Sequence, residues 1–315
     1  MAESLSHRLF PRDTPHILDR QGRKTPVDLG FKDTITPVQD ITTQQAQGLI
    51  DDLCSIAARA SAATLAVPFS AVEQHTKNDL SPVTAADEAA EAVILEGLQR
   101  LCPGIPVVAE ESVAKGHIPG ALDGSFFCVD PLDGTKEFLA GRDEFTVNIA
   151  LITRGEAIAG VIAAPAQGLL WRGVGGFGAQ RLRLRLSGGV AETYEPVAIK
   201  ARPAPARLTV ATSRTHLDDV TEAFIGRLPI GKRYMCGSSV KFCHLAEGGA
   251  DIYPRFSPTC EWDIAAGCAI LAAAGGITQS PSGGAIRFGN SVSKFRVPGF
   301  VAMGDPGGLP ALRGQ

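Results

Sequence analysis

The segment Asp130-Pro131-Leu132-Asp133-Gly134-Thr135-Lys136-Glu137-Phe138 holds the densest chemistry in the chain. Two carboxylates three residues apart follow the apolar run Phe126–Val129, which reads as a buried strand. Pro131 cannot continue a hydrogen-bond ladder. Gly134 allows an unusual backbone and the close approach of a ligand. Asp130, Asp133 and the Leu132 carbonyl can then face one point. They offer hard oxygens only, which suits Mg²⁺ and not zinc. A helix or turn opening at Gly134 would place free N–H groups beside the metal, where they attract an anion. Metal plus N–H cradle is a phosphate-binding arrangement. Alone, the segment competes with a structural reading, an Asx-Pro turn with a capping aspartate.

Further carboxylates weaken that alternative. Glu110-Glu111 follows another short apolar run, and adjacent acids repel unless a cation or solvent compensates. Asp263, after Trp262, stands where the apolar stretch 264–274 begins and could equally cap a helix. Asp87 could be a first-turn residue that favours the helix dipole. Each structural reading holds singly. Together they do not explain why acidic sites flank strand or helix ends in this order.

The ordered set Asp87, Glu110-Glu111, Asp130-Pro-Leu-Asp133-Gly-Thr135 and Trp262-Asp263-Ile-Ala-Ala-Gly267 resembles the lithium-sensitive, magnesium-dependent phosphatase superfamily. Inositol monophosphatases, fructose-1,6-bisphosphatases and bisphosphate nucleotidases belong to it. The resemblance spans about residues 44–303. SPVTAADEAAE (81–91), EFTVNIALI (144–152), GSSVKFC (237–243) and YPRF (253–256) are most similar to the bacterial CysQ-type bisphosphate nucleotidases. The resemblance implies a five-layer α/β/α/β/α sandwich. It also implies hydrolysis of 3'-phosphoadenosine 5'-phosphate to AMP and phosphate, in sulfur assimilation or nucleotide recycling. An inositol-phosphate or sugar-phosphate phosphatase is the runner-up. A non-catalytic metal-sensing protein is a third reading, disfavoured by the intact Asp87 and Thr135.

Carried over by motif, Glu110, Asp130, the Leu132 carbonyl, Asp133 and Asp263 resemble metal ligands. Two or three Mg²⁺ per site are implied as cofactor. Asp87 and Thr135 resemble the pair that orients or deprotonates the attacking water, with Glu111 in support. Gly134 and Thr135 resemble the phosphate cradle. Ser213, His216, Ser238 and Lys241 match segments that hold the nucleotide in relatives, so substrate contacts are expected from these, from the cradle and from the ligands Glu110, Leu132, Asp133 and Asp263. Lys241 independently suits a second phosphate as a point charge. Ser213, His216 and Ser238 read equally well as turn, cap or surface residues.

These groups need a frame. Helical periodicity runs from Thr43 to about Val67, and Thr84 could cap a second helix from Ala85 to about Leu101. Ile105–Ala109 and Phe126–Val129 read as strands, the second ending at Asp130-Pro131. Phe145–Ile152, Ala157–Ala164 and Leu169–Val174 suggest an antiparallel meander. Gly173-Val-Gly-Gly-Phe-Gly178 looks like a dinucleotide loop, but the period-2 strand Arg181–Leu186 follows where a helix would be required. Hairpin glycines and a solvated arginine face are the better reading. A second α/β stretch starts near Arg207, with a strand LTVATS, a helix after His216, a helix near Ser239–Glu247, a strand at Asp251–Phe256 and an apolar helix from Trp262 to Gly275-Gly276. The expected organisation is an extended or disordered arm (1–43), two halves (44–206 and 207–305) and a tail (306–315).

The 315 residues are 44% apolar and 20% charged, which fits a globular chain with a sizeable core. A net charge of −3 and a pI near 6.1 argue against a nucleic-acid binder. An anionic substrate therefore needs a local device. The expected partner is a small phosphorylated nucleotide, and composition says nothing of oligomeric state. Seven scattered cysteines without a CxxC predict buried, reduced thiols in a cytosolic protein. The expected location is the cytoplasm, with a peripheral place on the cytoplasmic face of the inner membrane as the alternative. No apolar h-region opens the chain and no apolar stretch approaches ~18 residues, so neither a signal peptide nor a transmembrane segment is expected.

Overall fold

The computed structural model describes residues 40–67, 84–120, 122–187, 190–214 and 217–307. It also describes the backbone of two short strand pairs, β1 (His16–Leu18) with β2 (Lys24–Pro26) and, beyond helix α1 (Thr43–Ala66), β3 (His75–Thr76) with β4 (Pro82–Val83). Met1–Pro37 and Val38–Gln315 are separate units, and the second holds every element from α1 onward.

Helix α1 opens with a capping box: the Gln45 N–H donates to the Thr42 hydroxyl, and the Thr42 N–H to the Gln45 side chain. Helix α2 (Ala85–Leu101) opens with the same device, Thr84 against Asp87. Then come β5 (Val107–Ala109), the short helix α3 (Glu110–Ala114), β6 (Ser125–Asp133) and the short helix α4 (Thr135–Leu139). The meander β7 (Thr146–Thr153), β8 (Glu156–Ala164) and β9 (Leu169–Val174) continues into β10 (Gly178–Ser187) and β11 (Val190–Ile199). These seven strands form one sheet in the order β11-β10-β9-β8-β7-β6-β5, antiparallel except for the β5–β6 pair. Gly175 to Phe177 make the β9–β10 turn, so that glycine run is a hairpin and not a dinucleotide loop.

The second half supplies β12 (Leu208–Ser213), α5 (Asp219–Ile225), β13 (Ile230–Cys236), α6 (Val240–Ala246), β14 (Ile252–Arg255), β15 (Thr259–Cys260) and α7 (Glu261–Ala273), then β16 (Ile277–Gln279), β17 (Arg296–Val297) and β18 (Phe300–Met303). Five of these strands build a mixed sheet, β13-β12-β14-β18-β16.

The core clusters give the layer order. Leu53, Ile56, Ile94 and Leu98 of α1 and α2 pack on Phe127, Val129, Ile149 and Leu151, one face of the seven-stranded sheet. Its other face, Phe126, Cys128, Ala150 and Ile152, shares a cluster with α6, α7 and with Ala211, Tyr253, Phe300 and Ala302 of the second sheet. The far side of that sheet packs on Ile225 of α5. The result is the five-layer α/β/α/β/α sandwich. The period-2 alternation of β6 serves two cores at once, and α7 is apolar all round because it is buried between two sheets. We propose the division near residue 206 as a topological one, since both sheets share the α6–α7 layer.

Three differences from the sequence reading have local causes. β6 runs through Pro131 to Asp133, because a register shift between Asp130 and Asp133 removes the proline from the ladder. Glu110-Glu111 open a helix directly after the strand, with Glu111 buried and not in solvent. Strands β11, β13 and β18 lack the alternation that would announce them. The arm expected over 1–43 lies mostly outside the described residues. From Asp40 on the chain is anchored: the Ile41 N–H donates to Ser125 Oγ at 2.7 Å, and Thr153 Oγ1 donates to the Ile41 carbonyl at 3.0 Å. Among the described residues no helix is long and apolar enough to cross a membrane.

Candidate active site

The end of β6 turns sharply at Gly134, whose φ of 93° and ψ of 39° are left-handed. A Cβ there would stand 3.0 Å from the Glu144 carbonyl oxygen, so both conformation and space demand glycine. The turn brings the Thr135 hydroxyl, at the N-terminus of α4, to the Leu132 carbonyl and to Asp87. Asp130 Oδ1 accepts the Leu132 N–H at 3.0 Å, which turns the Leu132 carbonyl outward. Thr135 Oγ1 lies 3.2 Å from that carbonyl and 3.2 Å from Asp87 Oδ1.

Asp87 is buried, and its other oxygen accepts the Thr84 N–H at 2.8 Å and the Thr84 hydroxyl at 2.6 Å. It is therefore both helix cap and neighbour of Thr135. Glu91, one turn on, accepts the Glu111 N–H at 2.9 Å and the Ser112 hydroxyl at 2.7 Å, which pins the start of α3 and with it Glu110. Asp263 repeats the double use. Its Oδ2 caps α7 by accepting the Cys260 N–H at 2.9 Å and the Thr259 hydroxyl. Burial first, and then the Asp263 charge, push the Asp133 carboxyl up to about 6, against Lys241 and Ser239, which stabilise its anion.

One pocket collects these groups. Glu110, Asp130, Leu132, Asp133, Gly134, Thr135 and Asp263 line it, together with Ser213, Ser238 and Lys241. Asp87 reaches it through Thr135. Glu111 is buried and stands outside the lining. His216 lies outside the described residues. Lys241 differs from its expected form. Its ammonium is buried, donates to the carbonyls of Ser238 (2.5 Å) and Cys236 (3.2 Å), and sits 5.1 Å from the Tyr253 ring centroid. It braces a turn as well as charging the pocket.

The YPRF motif stands out in the sequence, but its Arg255 gains a role only in the structure. Arg255 lines the pocket, donates through Nη2 to the Pro258 carbonyl at 3.2 Å, and keeps a buried Nε without a hydrogen-bond partner. A buried, unpaired guanidinium N–H costs free energy unless an acceptor arrives. The available signal is an arginine ending a strand two residues after a buried tyrosine. Ser239 likewise escapes sequence reasoning. Its hydroxyl donates to Asn148 Oδ1 and lies 2.8 Å from Thr146 Oγ1, beneath Asp133.

The donor set fits magnesium: carboxylates and a carbonyl line the pocket, and among the described residues no cysteine or histidine does. Among the described residues no three carboxylate, thiol or imidazole groups already converge as a cage. Asp87, Asp130 and Asp263 each point at least one oxygen to donors in their own turn.

The Inositol monophosphatase family profile matches residues 39–302. The chain is 40% identical over 254 residues to the 3'(2'),5'-bisphosphate nucleotidase CysQ of Salmonella typhimurium, covering 80% of this chain and 98% of that one. It is 33% identical over 204 residues to human inositol monophosphatase 2, covering 64% and 69%. Among solved structures, CysQ from Bacteroides thetaiotaomicron superposes with a TM-score of 0.65 at 31% identity, covering 80% and 96%. With the layered sandwich and the acidic pocket on the strand ends, these matches show that the chain belongs to the inositol monophosphatase family.

Proposed function

We propose that this chain is a Mg²⁺-dependent 3'(2'),5'-bisphosphate nucleotidase that removes the 3'-phosphate of 3'-phosphoadenosine 5'-phosphate. One observation carries the reading: a single pocket joins an all-oxygen acidic wall, the Thr135–Asp87 contact and two cationic side chains, the buried Lys241 and the partly buried Arg255. The similarity to CysQ proteins supports it.

Glu110, Asp130, the Leu132 carbonyl, Asp133 and Asp263 would hold the metal. Magnesium, when bound, supplies charge neutralisation for the phosphate and makes water more acidic. The chain's own residues do the rest. Thr135 Oγ1 accepts a proton from the attacking water as its own proton passes to Asp87 Oδ1. The new P–O bond forms in line as the bond to the ribose 3'-oxygen breaks, and that oxygen leaves with a proton from solvent. The Gly134 and Thr135 N–H groups face the transferring phosphate. Arg255 Nε, short of an acceptor, suits the second phosphate. Ser213 and Ser238, which line the pocket, are assigned to the nucleotide, and His216, outside the described residues, keeps the nucleotide-binding role that the resemblance implies. Glu111 is assigned to support the Asp87–Thr135 pair. Cys54, Cys102, Cys128, Cys236, Cys243 and Cys268 are free thiols, consistent with a reducing, cytoplasmic setting.

The test is phosphate release with Mg²⁺ from 3'-phosphoadenosine 5'-phosphate, inositol 1-phosphate and fructose 1,6-bisphosphate. The bisphosphonucleotide should give the highest kcat/KM. A preference for inositol 1-phosphate would replace this reading with that of a sugar-phosphate phosphatase.

A further inference from the structure

Glu144 stands outside the pocket, yet it ties together three segments that build the pocket. Its carboxylate is 17% exposed. Oε2 accepts the Gly237 N–H at 2.9 Å, and Oε1 accepts Arg214 Nη2 at 2.7 Å. Arg214 also donates to the Met235 carbonyl at 3.3 Å, so the ends of β12 and β13 are held side by side. The backbone of Glu144 is equally confined. Its carbonyl oxygen lies 3.0 Å from the position of a Cβ on Gly134 and 3.0 Å from that of a Cβ on Gly237. It is clamped between the phosphate turn and the turn that carries Ser238.

That second turn needs holding. Ser238 has a φ of 45°, a left-handed value that a serine adopts only when its surroundings over-determine it. Lys241 fixes the far side through the Ser238 carbonyl, and Glu144 fixes the near side through the N–H of Gly237. Without Glu144, nothing described holds that N–H, and Arg214 loses its carboxylate beside Ser213.

We propose that Glu144 is a positioning residue that sets substrate affinity by fixing the Gly237–Ser239 turn and Arg214 at the nucleotide end of the pocket. This rests on the pocket being the phosphatase site. The effect belongs in KM and not in kcat, because the Thr135–Asp87 contact does not pass through Glu144. Losing a charge-assisted hydrogen bond to a partly buried carboxylate is worth about one order of magnitude in binding.

The experiment measures kcat and KM for Glu144→Ala, Glu144→Gln and Arg214→Met on whichever phosphate ester the wild-type enzyme turns over best. That choice separates failure of the positioning role from failure of the substrate assignment, which wild-type preference reports by itself. Glu144→Ala should raise KM about tenfold with kcat within about threefold. Glu144→Gln keeps an acceptor for Gly237 and should recover most of that loss. Arg214→Met, at a more exposed side chain, should raise KM by a smaller factor. A wild-type KM in Glu144→Ala overturns the proposal. So does a loss confined to kcat, or a Glu144→Gln that is no better than Glu144→Ala. If Glu144→Ala does not fold, Glu144→Gln and Arg214→Met decide: unchanged KM in both overturns it.

Discussion

The Thr135 hydroxyl stands midway between two oxygens that arrive from different elements, 3.2 Å from Asp87 Oδ1 on α2 and 3.2 Å from the Leu132 carbonyl at the end of β6. A hydroxyl has one proton to give. Given to Asp87, it leaves the Thr135 lone pairs for water and the Leu132 carbonyl for a cation. Asp87→Asn should therefore fold and lose activity. The cap it disturbs is worth about 1 kcal/mol, while a positioned proton acceptor is worth roughly 100-fold or more in rate. Thr135→Ser should retain far more activity than Thr135→Ala. Phosphate-release kinetics beside thermal melts check this, and equal activity in the two Thr135 variants would count against the hydroxyl.

Gly134→Ala tests the turn. The left-handed φ and the 3.0 Å approach of the Glu144 carbonyl act together, so the variant should lose roughly 1–3 kcal/mol of stability. It should also lose more activity than Gly104→Ala, where φ is positive too but no atom crowds the Cβ. Chemical denaturation and kinetics on the pair report the contrast.

Arg255→Lys and Arg255→Met test the guanidinium whose Nε lacks a partner. Lysine keeps the charge but cannot place an N–H where Nε lies. Both variants should raise KM for the bisphosphonucleotide about tenfold or more and change KM for a single-phosphate ester much less. Equal effects on both substrates would assign Arg255 to the metal wall or to the fold.

Legibility from sequence varies with the reach of each contact. The Thr84–Asp87 box can be foreseen because a capping box is local. The Asp130–Thr135 turn announces itself through proline, glycine and spacing. Asp263 is readable both as cap and as ligand, and the structure shows the cap directly while placing the side chain on the pocket wall. Lys241 reads from sequence as a projecting charge. The left-handed Ser238 brings its carbonyl under the ammonium, and no composition rule foretells a positive φ on serine. The Glu144–Gly237 bond joins residues 93 apart, so it exists only once both sheets are assembled.

Acid should expose His244. Burial holds its imidazole below the ordinary 6.5, with Glu247 opposing, and Nε2 lies 2.6 Å from the Tyr234 hydroxyl. The folded state thus binds fewer protons than the unfolded state, and stability falls as pH drops below about 6.5. His244→Gln, which cannot be protonated, should remove part of that slope. Unfolding free energies at about pH 7.5 and pH 5.5 provide the check. A wild-type acid loss no steeper than that of the variant would exclude His244 as a contributor.

The most direct test of the proposed chemistry follows the oxygen. Hydrolysis of 3'-phosphoadenosine 5'-phosphate in ¹⁸O-labelled water with Mg²⁺ should yield 5'-AMP without label and inorganic phosphate carrying one solvent oxygen per turnover. Label in the nucleotide, or 3'-AMP as the product, would contradict direct attack of water on the 3'-phosphate.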